Sequence, residues 1–119
     1  MRKIVLLIAA LAPAPGFAAE LWCMPDLTCR PDGTCKSITD AEQSLRLENL
    51  KSGETTMRAN AETIPMIRAA AGTAVEWRGT NTRGGAEYVI WSTTNNAFTY
   101  TVMAADGDVW KSTGICEVQ

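Results

Sequence analysis

Short runs of alternating apolar and polar side chains fill the chain from Ser37 onwards, and turn signals separate them roughly every ten residues. Successive side chains of a β-strand point to opposite faces of a sheet, so a period of two indicates half-buried strands. No long segment has a convincing helical period. We therefore predict an all-β fold, either a small antiparallel barrel or a flattened meander of about seven to nine short strands, stapled by disulfides.

The register of the last two strands depends on the loop around Asp106-Gly107. A two-residue loop sets Lys111 opposite Val102 and places a charge on an aromatic face. A three-residue loop that begins at Ala105, with a left-handed glycine, sets Trp110 there instead. A slip of one residue moves every side chain to the other face, so the buried face decides the register and we predict the longer loop. One face of the meander then carries Val89, Trp91, Phe98, Tyr100, Val102 and Trp110.

Two segments are open to a helical interpretation. A capping box at Asp40 and Gln43 favours a helix over Thr39 to Leu50, whereas the alternation around Leu45 and Leu47 favours a strand from Ser44 to Asn49, which we prefer. In Ala61 to Ala71, Pro65 cannot donate to a ladder, so a strand there is expected on an edge or at a bulge. A short helix over residues 65–71 is the alternative.

The first residues have the layout of a secretory signal peptide. Arg2 and Lys3 form a basic head, Ile4 to Ala12 is an uninterrupted apolar run, and small residues precede a cut after Ala18. The apolar run is about half of the roughly 20 residues that a membrane-spanning helix needs. We therefore predict a signal peptide over residues 1–18 and a single β-domain over 19–119. That domain should be periplasmic or secreted, with no membrane insertion after cleavage.

The net charge of the mature chain disfavours two classes of partner. Loss of Arg2 and Lys3 reduces the 11 basic residues to nine against 13 acids, so the mature net charge is −4. Nucleic acids and anionic membranes bind cationic faces, and no basic cluster is present, so neither is an expected partner.

Four cysteines in a small exported domain predict two disulfides. Pro31-Asp32-Gly33 suits a three-residue hairpin loop with a left-handed glycine, which places Cys29 opposite Cys35 within disulfide range. We predict that pair, which leaves Cys23 and Cys116 to join the first strand to the last. The pairing of Cys23 with Cys35 and of Cys29 with Cys116 stays open. Zinc is not expected, because the cysteine spacing fits no common finger and histidine is absent.

Residue types that most catalytic centres need are missing. Without histidine there is no His-based triad or imidazole base, and paired cysteines leave no thiolate nucleophile. Asn81 to Gly85 is predicted to be a flexible turn rather than a phosphate loop. Asp106 and Asp108 supply too few oxygens for calcium. We expect no enzymatic activity, no cofactor and no metal.

Acidic side chains and tryptophans are the remaining candidates for catalytic or binding residues. The acidic side chains should be solvated, although two carboxyls in one cleft would suit glycoside hydrolysis. The tryptophans lie in predicted strands and should be core residues; one that points outward would offer a platform for a sugar, peptidoglycan or a protein. A hydroxyl-rich set is expected on the opposite face: Thr93, Thr94, Thr99, Thr101, Ser112 and Thr113.

Two resemblances bear on function. Leu21-Trp22-Cys23 with the closing Ser112-Thr113-Gly114-Ile115-Cys116 resembles small uncharacterised periplasmic proteins of alphaproteobacteria, a group that implies no particular activity. The chain also resembles the periplasmic C-type lysozyme inhibitors, small disulfide-bonded β-barrels with a Ser-Gly-x-x-Tyr segment followed by Trp-x-Lys-Gly.

Asn96-Ala97-Phe98-Thr99-Tyr100 and Trp110-Lys111-Ser112-Thr113-Gly114 match those two recognition segments in part. No Ser-Gly pair precedes the tyrosine here, and Lys111 follows Trp110 directly. The resemblance implies that Tyr100, Trp110 and Lys111 are candidate binding residues.

Together these features predict an exported, non-enzymatic β-domain that binds a protein or envelope ligand. One alternative is an inhibitor of a cell-wall hydrolase. Another, from a different class, is a carboxylate-based glycosidase that acts on cell-wall sugars.

Overall fold

The computed structural model describes residues 20–39, 44–50 and 54–119. This part of the chain forms nine strands and no helix, which confirms the all-β prediction. The predicted signal peptide and the Asp40–Gln43 capping box lie outside the described residues. The strands are β1 (Glu20–Cys29), β2 (Cys35–Ser37), β3 (Leu45–Glu48), β4 (Thr55–Ala59), β5 (Glu62–Ala71), β6 (Ala74–Thr80), β7 (Ala86–Ser92), β8 (Ala97–Met103) and β9 (Val109–Val118).

Eight of these strands close into an antiparallel barrel. Each strand from β3 to β9 pairs with the next along the chain, and β1 pairs with both β3 and β9 to complete the ring. The ninth strand, β2, is an extra hairpin strand on the end of β1. Closure leaves each barrel strand with a neighbour on both sides along at least part of its length, which removes most of the exposed sheet edge.

A bulge in β1 adjusts the closing seam. Leu27 pairs with Thr113 and Pro25 with Gly114, so Asp26 is the extra residue in β1. The two backbones approach closely here, because a Cβ on Gly114 would collide with the Met24 carbonyl oxygen. Glycine is therefore required at this point of β9.

The predicted register of β8 and β9 is confirmed. Trp110 pairs with Val102 and Lys111 with Thr101, and the loop glycine, Gly107, has φ +97°. The loop is closed by a hydrogen bond from the Gly107 amide to the Ala104 carbonyl oxygen, at 2.9 Å.

Both predicted disulfides are present, Cys29–Cys35 and Cys23–Cys116. The first spans the predicted three-residue loop, in which Gly33 has φ +91°. It lies on the exposed hairpin, whereas the second is fully buried in the barrel. Because disulfides persist in oxidising compartments, the two bonds point to folding outside the cytoplasm.

Both ambiguous segments are strands. Leu45–Glu48 is β3, as predicted, and residues 65–71 continue β5 rather than forming a helix. The edge position expected for Pro65 holds only locally, because β5 lies between β4 and β6 but pairs with β6 only from Ile67 onwards. Pro65 pairs with β4 alone, so its missing N–H removes no bond to β6.

The prediction that all four tryptophans are core residues is wrong for two of them. Trp77 is 1% exposed and Trp91 packs against it at 6.3 Å between ring centroids. Trp22 is 40% exposed because its side chain points to the outer face of β1, whereas its neighbours Leu21 and Cys23 point inward. Trp110 lies on the inward face of β9, as predicted. It is nevertheless 43% exposed, because it lines the cavity at an open end of the barrel.

The interior divides into two halves along the barrel axis. The lower half contains the first residue of β1 and the end of β9, where the Gln119 amide donates to the Glu20 carbonyl oxygen at 3.0 Å. Its inward side chains include Leu21, Cys23, Leu47, Met57, Ile64, Met66, Trp77, Val89, Trp91, Phe98 and Cys116. The upper half ends at the β4–β5, β6–β7 and β8–β9 loops and is the more polar.

No helix in the described residues is long and apolar enough to cross a membrane.

Candidate functional site

A cavity of about 650 Å³ opens at the upper end of the barrel; we call it the mouth. Its volume falls within the range of small-molecule sites, roughly 300–1,000 Å³. Trp110 and Tyr100 face it from adjacent strands, one half-exposed and one buried. The lining is Thr28, Asn60, Asn81, Arg83, Gly85, Tyr100, Val102, Ala104, Ala105, Asp106, Trp110 and Ser112.

Two of the lining residues, Tyr100 and Asn81, contact a buried carboxylate, Glu87, which is 1% exposed. The Tyr100 hydroxyl donates a short hydrogen bond to its Oε1, and Asn81 Nδ2 donates to its Oε2 at 2.9 Å. Arg83 lies 4.0 Å from the same Oε2. A buried charge is tolerated only with such partners, because desolvation otherwise costs several kcal/mol.

Asn81 positions the β6–β7 loop above this carboxylate. Its Oδ1 accepts hydrogen bonds from the amides of Arg83 and Gly85, at 3.0 and 2.9 Å. The loop turns through Gly84 at φ +83°. A Cβ on Gly85 would come within 2.5 Å of the Met103 carbonyl oxygen. The segment predicted to be a flexible turn is thus a tightly hydrogen-bonded loop with a buried asparagine.

Arg83 bridges two acids at the rim. Besides Glu87, its guanidinium lies 3.7 Å from Glu62 Oε2, which also accepts a hydrogen bond from Thr82 Oγ1 at 2.9 Å. Glu62 begins β5, in the stretch that does not pair with β6. These side chains therefore link the start of β5 to the β6–β7 loop, where the backbone ladder between β5 and β6 is absent.

Tyr100 is held protonated. Burial, followed by its hydrogen bond to the Glu87 carboxylate, raises the pKa of the Tyr100 hydroxyl above its ordinary value. The oxygen also accepts a long hydrogen bond from Asn60 Nδ2, at 3.5 Å. The hydroxyl is a fixed donor to Glu87 rather than a proton carrier.

The three predicted binding residues are not all brought together. Tyr100 and Trp110 line the mouth. Lys111 points to the other side of β9, where it pairs with Thr101 and Cys29 and is exposed. Ser112, predicted on the solvent face, instead faces inward beside Tyr100 and shares a 2.9 Å hydrogen bond with Thr28.

Sequence reasoning missed Glu87, Asn81, Arg83 and Asn60. The expectation that the acids are solvated is wrong for Glu87. One signal was present: Glu87 has the same period-two position as Val89 and Trp91, so a charge stood on the inward face of β7. The partners of that charge are 6 and 13 residues away along the chain, and no local pattern announces them.

A second groove, of about 730 Å³, runs along the outer face near Trp22, Met24 and Ile115. Arg46 covers the Trp22 ring, with its guanidinium carbon 4.3 Å from the centroid, and forms ion pairs with neighbouring acids on the same face. The mouth is the stronger candidate, since polar side chains from several strands and loops converge on it beside an aromatic wall.

No three His, Cys, Asp or Glu side chains among the described residues are placed to share a metal ion. Comparison of the chain with protein-family models, curated proteins and solved structures gives no match.

Proposed function

We propose that this chain is an exported, non-enzymatic β-barrel domain that binds a small envelope ligand in its mouth. The observation that carries the proposal is the half-exposed Trp110 beside a cavity lined by Tyr100 and Asn81, which both donate hydrogen bonds to the buried Glu87. Concave sites with an aromatic wall and a few convergent polar groups are typical of small-molecule binding.

Export is supported by the basic head and apolar run at the N-terminus and by the two disulfides. The proposed location is the periplasm or the extracellular space. Sequencing the N-terminus of protein recovered from the periplasmic fraction should give Ala19 as the first residue. An N-terminus at Met1 would contradict export.

A non-enzymatic role is supported by the state of the carboxylates. Both Glu87 oxygens accept hydrogen bonds inside the protein, so this acid is not presented to a substrate. A glycosidase needs two carboxyls that flank the scissile bond, roughly 5–9.5 Å apart. Glu62 is tied to Thr82 and Arg83 at the rim. Asp106, the acid among the residues that line the mouth, accepts a hydrogen bond from the Asp108 amide.

Inhibition of a cell-wall hydrolase is the alternative proposal. Trp110 and Lys111 would have to act in one recognition loop, yet they lie on opposite faces of β9. We therefore expect equimolar protein to leave lysozyme activity unchanged; loss of activity would favour the inhibitor instead.

The mouth is tested by titrating the ¹⁵N-labelled domain with muropeptides, the soluble disaccharide–peptide fragments of peptidoglycan, and with the separate peptide. We expect the indole N–H signal of Trp110 and the amide of Gly85 to shift. The equally exposed Trp22 indole is the internal control and should stay in place. Shifts centred on Trp22, or none at all, would contradict a ligand site in the mouth.

A further inference from the structure

We infer that the ligand of the mouth is a neutral oligosaccharide, an inference that rests on the proposed function and names its chemical class. The argument uses the shape of the apolar wall, the charge balance of the rim and the hydrogen-bonding groups that remain unused.

The apolar wall suits the face of a sugar ring. Trp110 is flat, 43% exposed, and paired with Val102, which lines the same cavity. A pyranose presents one face of C–H groups and an edge of hydroxyls, so it packs on an indole while its edge reaches polar groups. The indole N–H of Trp110 makes no hydrogen bond to another described residue and is a donor available to such an edge.

The charges of the rim disfavour strongly charged ligands of either sign. The Arg83 guanidinium, 63% exposed, stands between Glu62 and Glu87 at 3.7 and 4.0 Å. The cavity is lined by one basic and one acidic side chain, Arg83 and Asp106. A cation is attracted by Asp106 and repelled by Arg83. An anion is repelled by Asp106 and attracted by Arg83, whose charge is already matched by Glu62 and Glu87. Both cases require desolvation without a net electrostatic gain, and a neutral polar ligand avoids this.

Unused hydrogen-bonding groups of both kinds remain at the rim. The ion-pair distances of Arg83 exceed those of hydrogen bonds, so its guanidinium N–H donors are not consumed by the two acids. Asn60 donates through Nδ2 to Tyr100, while its Oδ1 accepts from no other described residue. A sugar hydroxyl is donor and acceptor at once, so it can use an arginine and an amide oxygen together.

The test is calorimetric titration with three trimers of the same length: N-acetylglucosamine (neutral), glucosamine (cationic) and galacturonic acid (anionic). We expect the neutral trimer to bind and the two charged trimers to bind at least about tenfold more weakly. A charged trimer that binds as tightly as the neutral one would overturn the inference.

Two matched variants locate the binding. Trp110→Ala should weaken the neutral trimer at least about tenfold, and Trp22→Ala, at an exposed tryptophan outside the mouth, should change it less than about twofold. Near-ultraviolet circular dichroism verifies that both variants keep the fold. Equal loss in the two variants would overturn the inference, because binding would not be centred on the mouth.

The titration also separates this inference from the function on which it rests. If no sugar binds but the separate peptide shifts the Trp110 indole signal, the ligand class is wrong and the mouth is still a binding site. If no sugar binds and no probe moves that signal, both proposals fail.

Discussion

The lower and upper halves of the barrel interior differ in what the same strands place inside. In β7, Trp91 and Val89 face the lower half and Glu87 the upper, while in β8 Phe98 faces the lower half and Tyr100 begins the polar network. Inward positions alternate without a break, but their polarity changes midway along the strands. The lower half therefore provides most of the stabilising burial, and the upper half has a cavity at some cost to packing.

The two disulfides give the largest expected contrast between the halves. Replacing Cys23 and Cys116 together with alanine should lower the free energy of unfolding by about 4–5 kcal/mol, and replacing Cys29 and Cys35 by about 2. The reason is the sequence separation, 93 residues against six. Guanidinium unfolding of both double variants checks this, and equal losses would break the contrast.

Substitution of one tryptophan in each half compares how much the two halves contribute to the free energy of unfolding. Trp77→Ala should cost about 3–5 kcal/mol, because the side chain is buried against Trp91. Trp110→Ala should cost less than about 1 kcal/mol, because the side chain is half-exposed. Trp77→Phe is a control that also removes the Trp77 indole N–H, which is buried without a hydrogen-bond partner among the described residues, and should lose much less than alanine. Thermal and denaturant melts measure all three.

Removal of Glu87 tests whether the upper half depends on its polar network. Glu87→Ala leaves the Tyr100 hydroxyl and Asn81 Nδ2 without an acceptor and should cost about 2–3 kcal/mol. Glu87→Gln retains an acceptor oxygen and should cost about 1 kcal/mol. The exposed Glu117→Gln is the control, within about 0.5 kcal/mol of the parent. An alanine variant as stable as this control would show that the network contributes nothing.

Alkaline pH should lower the free energy of unfolding through Tyr100, a residue of the upper half whose pKa is raised in the folded state. Above pH about 10 an unfolded tyrosine releases its proton while folded Tyr100 keeps it. The unfolded state then binds fewer protons, so the free energy of unfolding falls by up to about 1.4 kcal/mol per pH unit until the folded pKa is reached. Tyr100→Phe should remove this contribution to the slope of the free energy of unfolding against pH, and Tyr88→Phe should leave it in place. The reverse result would assign the contribution to Tyr88 instead.

The smallest effect concerns the turn that supplies Asn60 to the mouth. Asn60 and Ala61 both have positive φ, at 52° and 64°, a two-residue turn in which glycine is favoured at the second position. Ala61→Gly should stabilise the protein by about 0.5–1 kcal/mol, seen as a higher melting temperature. Ala105→Gly, at an exposed loop alanine without positive φ, should not; stabilisation by both would exclude relief of backbone strain as the cause.

The fold was largely predictable from local patterns. Turn chemistry at Pro31-Asp32-Gly33 determined one disulfide, and the aromatic face determined the register at Asp106-Gly107. The candidate site was not predictable in this way, because the partners of Glu87 come from the β6–β7 loop (Asn81) and from β8 (Tyr100). Trp22 shows the same limit: its strand position was predictable, but its face required the pairing of β1 with β3 and β9.

The backbone contact between Gln119 and Glu20 has a practical consequence. Both ends of the described chain leave from the end of the barrel opposite the mouth. An affinity tag, a fluorescent fusion or a sensor-chip attachment at either terminus would therefore keep the cavity unobstructed. A short linker that joins the ends, with a new opening at the exposed Thr93-Thr94 turn, would give a circular permutant with its mouth intact.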